Sequence, residues 1–412
     1  MIPVLDAVEI ILGAVGPMPP EKVSILEAHG RVLAEELTAP RDLPPHDNSA
    51  MDGYAVRHAD LWPGAVLRVV EAIPAGTDPS RGLEPGQAAK IMTGAPIPAG
   101  ADTVVPVEDT REVDGGVEIV SVPAAGANIR PQGEDVRQGT RVLPRGTRVR
   151  PAEVGMMASL GRAFVLVHQR PRVAVLATGD EIVDLDSPAQ GSKIINSNSY
   201  GVAAQVAEAG GVPMVLGIGR DDPEGLLEMF ERAATCDAVI TTGGVSMGDY
   251  DFVRPVLARA GVAVQFWKVA MKPGKPVVFG MKGRVPVFGL PGNPVSAMVA
   301  FEQFVRPALR KMLGHRDLFR PVVEAVLGEE AGSVRTKAGR TDFVRCRVER
   351  GPEGFRVVSV KKRGSGVLST LVQANGLLVI PAESRGVDPG GRVRVQIYDP
   401  GILDQDEPGI GP

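Results

Sequence analysis

The feature that most constrains this fold is the alternation of short apolar runs with helical patterns between residues 171 and 316. Six strand-like runs occur there, and a helical pattern fits between most of them. Alternation of this kind predicts a largely parallel sheet that is covered by helices on both faces. The last two runs, 277–279 and 285–288, are closely spaced. We therefore expect them to form an antiparallel pair at one edge of the sheet.

The chain changes character on both sides of this region. Residues 41–139 and 317–400 contain short β-like runs separated by Pro and Gly at close intervals, which is typical of small β domains. Residues 1–40 and 140–170 are expected to form a mixed α+β domain that is discontinuous in sequence. A chain of 412 residues is too long for a single core. The predicted fold class is therefore multidomain α/β plus β.

Composition excludes several classes of protein. The net charge of −4 and the aromatic content of 4% give no indication of a nucleic-acid partner. No run approaches the roughly 20 apolar residues of a membrane span. Two cysteines are too few for a disulfide framework, which favours a reducing compartment. We therefore expect a cytoplasmic protein that binds neither nucleic acid nor membrane.

Three glycine turns follow predicted strands of the α/β region. They contain Thr178 and Gly179; Thr242, Gly243, Gly244 and Ser246; and Pro291, Gly292, Asn293 and Pro294. Each alone could be an ordinary turn, but the carboxyl ends of parallel strands meet at one end of a sheet and form a ligand crevice there. Backbone N–H groups in such turns can approach an anion closely. None of the three turns matches the Walker A loop of nucleoside triphosphatases or the GxGxxG motif of dinucleotide-binding domains.

Carboxylates stand beside these turns, where they would repel a bare phosphate. Glu181 follows the first turn, Asp251 follows the second, and Asp221 follows another predicted strand. Carboxylates in an anion-binding crevice predict a divalent metal between them and a phosphorylated substrate. A further acidic candidate, Asp52, lies in the first β domain, which also contains Thr93 in a glycine turn.

Cations are concentrated in two segments. The loop at 267–276 contains Lys268, Lys272 and Lys275 among prolines that stiffen it, and such lysines suit phosphates or an oxyanion. The alternative is a solvated loop. Between Arg335 and Arg363 there are ten Lys or Arg against three Asp or Glu. That segment is either a charged surface or a further source of cations for the crevice.

Taken together, six blocks resemble the MoeA family of molybdopterin molybdenumtransferases, which includes the E domain of gephyrin. The blocks are 48–56, 91–96, 178–181, 241–246, 267–276 and 290–296. The resemblance spans nearly the whole chain. It implies insertion of molybdate into adenylylated molybdopterin with release of AMP, and a requirement for Mg²⁺. It also implies a homodimer that shares its active sites between subunits, with molybdopterin adenylyltransferase and molybdoenzyme maturation proteins as further partners.

The resemblance implies roles for individual residues. Those matching positions that act in the transfer are Asp52, Thr93, Glu181, Lys268 and Lys272. Those matching metal positions are Asp221, Asp251 and Glu181. Those matching anion- or substrate-binding positions are Lys275, Arg345 and Ser365, together with the three glycine turns.

Two other functions are compatible with parts of the sequence. An adenylyltransferase that makes the substrate resembles the α/β region alone, and it would not need residues 1–168 or 317–400. A scaffold of the gephyrin type would be expected to carry an extra N-terminal domain and a long linker. We expect neither feature in this chain. The molybdenumtransferase is therefore the preferred interpretation.

Overall fold

The computed structural model describes residues 1–188, 190–220, 222–244, 253–360 and 364–403. The chain divides into two compact units. One contains Met1–Glu21 and Val167–Pro412, and the other contains Lys22–Leu166. Within the described ranges, no helix combines the length and the apolar character that crossing a bilayer requires.

The larger unit is built on a six-stranded central sheet. Its strands are β1 (Arg172–Thr178), β2 (Val212–Gly219), β3 (Ala238–Thr242), β4 (Ala263–Phe266), β5 (Val278–Lys282) and β6 (Val285–Leu290). They lie in the order β2-β1-β3-β6-β5-β4. The first four in this order are mutually parallel, and β5 is antiparallel to both of its neighbours. The predicted mostly parallel sheet is confirmed.

The position of the antiparallel pair differs from the prediction. β5 and β6 are antiparallel as expected, but β4 forms the edge of the sheet beyond them. The difference follows from burial. Most of β6 is buried, whereas the first three residues of β4 are exposed. An apolar strand gains more from an interior position, and an exposed strand is tolerated at an edge.

Helices cover both faces of the central sheet. They are Ser197–Ala209, Pro223–Ala233, Val253–Arg259 and Pro294–Ala300, the last continued by the π-helix Phe301–Val305 and the helix Arg306–Met312. Alternate residues of β1 face opposite sides, as strand geometry requires. Val173 and Val175 join the core that contains the first and last of these helices, as well as the N-terminal helix Val4–Ala14. Ala174 and Leu176 join the core formed with the other two.

A closed ring of strands follows the central domain in sequence. Its members are Val322–Leu327, Thr341–Gly351, Gly354–Val360, Gly376–Ile380 and Arg392–Ile397. The strand Thr341–Gly351 pairs with both Gly354–Val360 and Gly376–Ile380, which closes the ring. The short strand Met271–Lys272 belongs to the loop at 267–276, which we call the lysine loop, and it pairs with the start of Thr341–Gly351. Two further short strands, Val334–Arg335 and Gly386–Val387, pair with each other.

The smaller unit contains a second six-stranded sheet. In spatial order its strands are Thr103–Pro106, Gly53–Val56, Gln87–Ile91, Val66–Ile73, Gly116–Ile119 and Thr110–Val113. Short pairs join Leu37–Thr38 to Arg141–Leu143 and Asn48–Ser49 to Ile129–Arg130, and a helix spans Pro151–Ser159. Both β regions of the predicted fold class are therefore present. The division into four domains with the stated boundaries stays a prediction.

One ion pair at the start of the helix Pro151–Ser159 leads to a stability prediction. Glu153 Oε2 accepts a hydrogen bond from the Arg150 N–H at 2.8 Å, and the Arg150 guanidinium donates to the same carboxylate. Mainly because of the side-chain hydrogen bond from Arg150, the pKa of Glu153 falls to about 2. A carboxylate with a lowered pKa in the folded state stabilises the fold above its unfolded value, 4.5, and loses that effect as the pH falls towards 2.

We therefore expect Glu153→Gln to lower the free energy of unfolding by about 1 kcal/mol at pH 7, within the range of helix-capping interactions. The difference between variant and wild type should narrow as the pH falls below about 4.5. Urea unfolding over this pH range measures it. A difference that is constant with pH would contradict the assignment.

Candidate active site

The glycine turns meet at one end of the central sheet. β1, β2, β3 and β6 run in the same direction, so their carboxyl ends lie side by side. Hydrogen bonds connect neighbouring turns. The Gly179 N–H donates to Gly219 O at 3.3 Å, and the Gly243 N–H donates to Leu290 O at 3.1 Å. Open sheets of this type bind ligands at this end.

Gly243 stands at the closest approach between two of these turns. A Cβ on Gly243 would lie 2.6 Å from Thr178 O, and its φ of +92° favours glycine. A Cβ on Gly292 would lie 3.5 Å from Gly243 Cα. The three predicted glycine turns therefore share one small region, and a side chain on Gly243 would force the backbones apart.

Buried hydroxyl groups lie at the same strand ends. Thr178, Thr241 and Thr242 are at most 3% exposed. None of their Oγ1 atoms has a hydrogen-bond partner among the residues that the structure describes. An unsatisfied buried hydroxyl is costly and calls for an explanation. Hydroxyls beside an anion-binding turn fit a phosphate oxygen as the partner.

A groove of about 680 Å³ opens beside the ends of β1 and β2. Its lining residues are Gly179, Asp180, Ile182, Val183, Lys193, Ile218, Arg220 and Asp222. The volume suits a nucleotide-sized ligand. Lys193 Nζ donates to Asp180 O at 2.5 Å and so closes one side of the groove. The exposed carboxylate of Glu181 lies against Gly179, because a Cβ there would come within 2.5 Å of Glu181 Oε2.

The predicted metal site is only partly described. Asp221, Asp251 and the predicted substrate-binding Ser246 lie outside the described residues. Within the described ranges, no group of three His, Cys, Asp or Glu side chains could hold a metal ion. The Glu181 carboxylate is described, and it is a hard oxygen donor of the kind that Mg²⁺ prefers. The metal site stays a prediction.

The lysine loop, residues 267–276, lies at the same end of the sheet as the glycine turns. β4 runs in the direction of β6, and the loop connects the end of β4 to the start of β5. Backbone hydrogen bonds to residues outside the loop anchor it. The Ile2 N–H donates to Lys268 O at 3.1 Å, and the Thr341 N–H donates to Ala270 O at 2.9 Å. Lys268 and Lys272 are half-buried, and Lys275 is exposed.

Arg345 and Ser365 approach the third glycine turn from the C-terminal β domain. The Val295 N–H donates to Ser365 O at 3.2 Å, directly after Pro294. Arg345 is buried, and burial lowers its pKa. Its guanidinium donates to Gly364 O at 3.1 Å and so supports the loop that contains Ser365. Ser365 therefore lies beside the third glycine turn, whereas Arg345 is connected to it through the loop at Gly364.

Asp52 and Thr93 contact each other in the smaller unit. Gly53 lies opposite Ile91 in paired strands, which brings their two motifs together. Asp52 Oδ1 accepts hydrogen bonds from the Thr93 N–H at 2.7 Å and from the Thr93 hydroxyl at 2.8 Å. The backbone bond, followed by the hydroxyl bond, lowers the pKa of Asp52. The result is an exposed carboxylate that is ionised at neutral pH.

Comparison with known proteins decides the family. Three family models match successive parts of the chain: the MoeA N-terminal region (domain I and II) over residues 2–161, a probable molybdopterin binding domain over 174–311, and the MoeA C-terminal region (domain IV) over 328–398. Molybdopterin molybdenumtransferase 2 of Mycobacterium tuberculosis is 41% identical, covering 92% of this chain and 95% of its own length. The chain belongs to the MoeA family.

Two further comparisons support the assignment to the MoeA family. A molybdopterin molybdenumtransferase of Nostoc is 38% identical over 91% of this chain and 88% of its own length. The crystal structure of a molybdopterin biosynthesis MoeA protein from Pyrococcus horikoshii has a TM-score of 0.81 and 33% identity, with 97% and 100% of the two chains covered. The predicted family and fold class are confirmed, and the predicted transferase class agrees with the relatives' names.

Two side chains in this MoeA-family site were not selected from the sequence. Asn198 Nδ2 donates to Gly292 O at 2.7 Å, and its signal was a run of four polar residues, 196–199, after the apolar pair Ile194–Ile195. Asp342 is buried, and its Oδ2 lies 3.5 Å from Lys272 Nζ. The signal for Asp342 was a carboxylate inside a largely buried strand.

Proposed function

We propose that this chain transfers molybdenum from molybdate to adenylylated molybdopterin and releases AMP. One observation carries the proposal: the glycine turns and the lysine loop lie at the same end of the central sheet. The turns suit the phosphates of an extended substrate, and the lysines suit a second, separate oxyanion. The relatives are named for molybdenum transfer to molybdopterin.

The turns would bind the phosphates of the substrate. The N–H groups of Gly179 and Gly243 already donate to Gly219 O and Leu290 O, so the anion would be bound by other backbone N–H groups of these turns, which it can approach because the glycines carry no Cβ. The hydroxyls of Thr178 and Thr242 would gain the partner that they lack within the described protein. The groove beside β2 provides room for the adenylyl group.

The lysine loop would hold molybdate. Lys268 and Lys272 are on a loop whose backbone is anchored at several points, so the positions of their Cα atoms are fixed before the anion binds. Their charge offsets the repulsion between the oxyanion and the substrate phosphates. Lys275 is exposed and would contribute at the edge of the site.

A magnesium ion would be held by Glu181 together with Asp221 and Asp251. When bound, it would neutralise charge on the substrate phosphates and polarise their oxygens. Glu181 also lies against Gly179, where it can position the first turn. Asp52, oriented by Thr93, would bring an ionised carboxylate to the transfer site.

We further infer a homodimer in which each active site combines residues of both subunits. Asp52 and Thr93 belong to one compact unit, whereas the lysine loop and the glycine turns belong to the other. Sharing between chains would unite the two sets. The enzyme would work in the cytoplasm, next to the adenylyltransferase that makes its substrate and to the maturation proteins that take the product.

The proposed function predicts a strict dependence on two inorganic ions. AMP release from adenylylated molybdopterin should require both molybdate and Mg²⁺, because molybdate is the second substrate of the transfer and Mg²⁺ would offset the negative charge of the phosphates. Asp221→Ala and Asp251→Ala should each raise the Mg²⁺ concentration that gives half-maximal AMP release, while the midpoint of thermal unfolding stays close to that of wild type. AMP release at full rate without molybdate would contradict the transfer reaction. An unchanged Mg²⁺ requirement in both variants would contradict the metal assignment.

A further inference from the structure

We propose that Asp342 is a positioning residue that holds the Lys272 ammonium in place for the oxyanion. The inference rests on the proposed function, in which Lys272 binds molybdate. Lys272 Nζ lies 3.5 Å from Asp342 Oδ2. The pair connects the lysine loop to the strand Thr341–Gly351 of the C-terminal β domain.

Backbone pairing brings the two side chains together. The strands Met271–Lys272 and Thr341–Gly351 are parallel, and Lys272 lies opposite Asp342 in their register. The hydrogen bond from the Thr341 N–H to Ala270 O, 2.9 Å long, holds that register. The register therefore places Lys272 and Asp342 side by side on neighbouring strands.

The burial of the two partners is unequal. The Asp342 side chain is 4% exposed, whereas the Lys272 side chain is 40% exposed. A buried carboxylate requires a nearby cation, and Lys272 is the cation opposite it. The exposed side of the ammonium stays available, because an ammonium carries three N–H donors and only part of them face Asp342.

The remaining contacts of Asp342 do not satisfy its carboxylate. The Thr336 hydroxyl donates to Oδ2 at 2.5 Å. The buried Oδ1 has no hydrogen-bond partner in the part of the chain that the structure describes. A carboxylate that served the fold alone would be expected to have both oxygens bonded, because an unsatisfied buried acceptor is destabilising. The two contacts that the structure describes for this carboxylate, with Thr336 and with Lys272, both involve Oδ2.

Positioning benefits anion binding because lysine is flexible. A lysine side chain has several rotatable bonds, and fixing them when the ligand arrives weakens binding. Asp342 fixes the ammonium beforehand. Asp342 also repels the anion, but the ammonium stands between the two negative groups. The anion is therefore nearer to the cation, and attraction dominates.

The first test replaces Asp342 by an uncharged side chain of the same shape. Asp342→Asn should raise the KM for molybdate about tenfold and change kcat by less than about twofold, since only the placement of the binding cation is altered. Equilibrium dialysis of molybdate alone against the protein should show a similar rise in Kd. A tighter Kd or an unchanged KM would overturn the proposal.

A double-mutant cycle separates positioning through Lys272 from support of the fold. In a Lys272→Met background, Asp342→Asn should have almost no further effect on the molybdate Kd, because the group that it positions is gone. Additive effects of the two substitutions would instead assign Asp342 a structural role and overturn the proposal.

The matched control is Asp388→Asn, in the same β domain. Asp388 also accepts hydrogen bonds from a hydroxyl and a cation, those of Ser333 and Arg335. It is exposed, however, and neither of these partners belongs to the lysine loop. Its molybdate Kd should equal that of wild type. Should Asp342→Asn unfold at the assay temperature, Asp342→Glu replaces it, because it keeps the charge but displaces it from Lys272.

The results also distinguish this inference from the proposed function. If Lys272→Met leaves the molybdate Kd unchanged, the anion-binding role of Lys272 is wrong. If Lys272→Met weakens binding while Asp342→Asn or Asp342→Glu does not, only the positioning role of Asp342 is overturned.

Discussion

Mixing an inactive Asp52→Ala chain with an inactive Lys268→Ala chain is expected to restore AMP release once subunits exchange. In a heterodimer with shared sites, one site receives both lesions and the other receives wild-type Asp52 and Lys268. With random exchange of equal amounts, recovery should reach about a quarter of wild-type activity, since half of the dimers carry one intact site of two. The measurement is AMP release before and after exchange, with exchange followed by two different affinity tags.

The control for this experiment mixes Asp52→Ala with Thr93→Ala. These residues contact each other within one compact unit, so each site takes both of them from the same chain. Every site in such a mixture retains a lesion, and no activity should return. Proven exchange of the first pair without recovered activity would show that each site is formed within one chain.

Removing an ammonium group from the lysine loop is expected to have the second large effect. Lys268→Ala and Lys272→Ala each delete a charge-assisted hydrogen bond to an oxyanion, worth roughly 1.5–3 kcal/mol. That corresponds to about a tenfold to hundredfold loss in affinity or rate. AMP release as a function of molybdate concentration measures the effect. High molybdate should partly rescue whichever lysine binds it.

Lys282→Ala provides the matched control for the loop lysines. Lys282 ends β5 opposite Val285, the first residue of β6, and therefore lies at the other end of the sheet from the glycine turns. Its Nζ pairs with Glu231 Oε2 at 2.5 Å. The variant should retain wild-type molybdate dependence. Equal molybdate dependence in all three variants and wild type would show that the loop does not bind the anion.

Local sequence patterns were sufficient for the central domain. The helices Pro223–Ala233 and Pro294–Ala300 begin at prolines. Proline is favourable at this position because the first N–H of a helix has no intrahelical acceptor. Apolar runs became buried strands, and glycine turns followed them. Each of these signals depends on residues within a few positions of one another, where propensity and periodicity act directly.

The edge of the central sheet was not predictable in the same way. A short connection between β5 and β6 correctly indicated an antiparallel pair. Whether that pair or β4 would form the edge depended on which strand could be buried. Burial is decided by the packing of the whole domain, so the exposed residues of β4 settled the order only in the folded structure.

Contacts between residues that are distant in sequence could likewise be identified only from the tertiary structure. Thr93 lies 41 positions from Asp52, and Asn198 lies 94 positions from Gly292, yet both pairs are joined by hydrogen bonds. The pairing of Lys272 with Asp342 follows from the strand register between the lysine loop and the C-terminal β domain. No local spacing rule reports such contacts.

The sequence by itself thus determined the alternation of strands and helices, the glycine turns at strand ends and the resemblance to the MoeA family. All three are written in short segments whose chemistry is local. Only the tertiary structure decided which side chains contact the residues of the candidate site: Thr93 contacts Asp52, Asn198 contacts the turn at Gly292, and Asp342 contacts Lys272. The physical reason is that a hydrogen bond or ion pair forms only where folding has brought its partners within about 3–4 Å, whatever their separation along the chain.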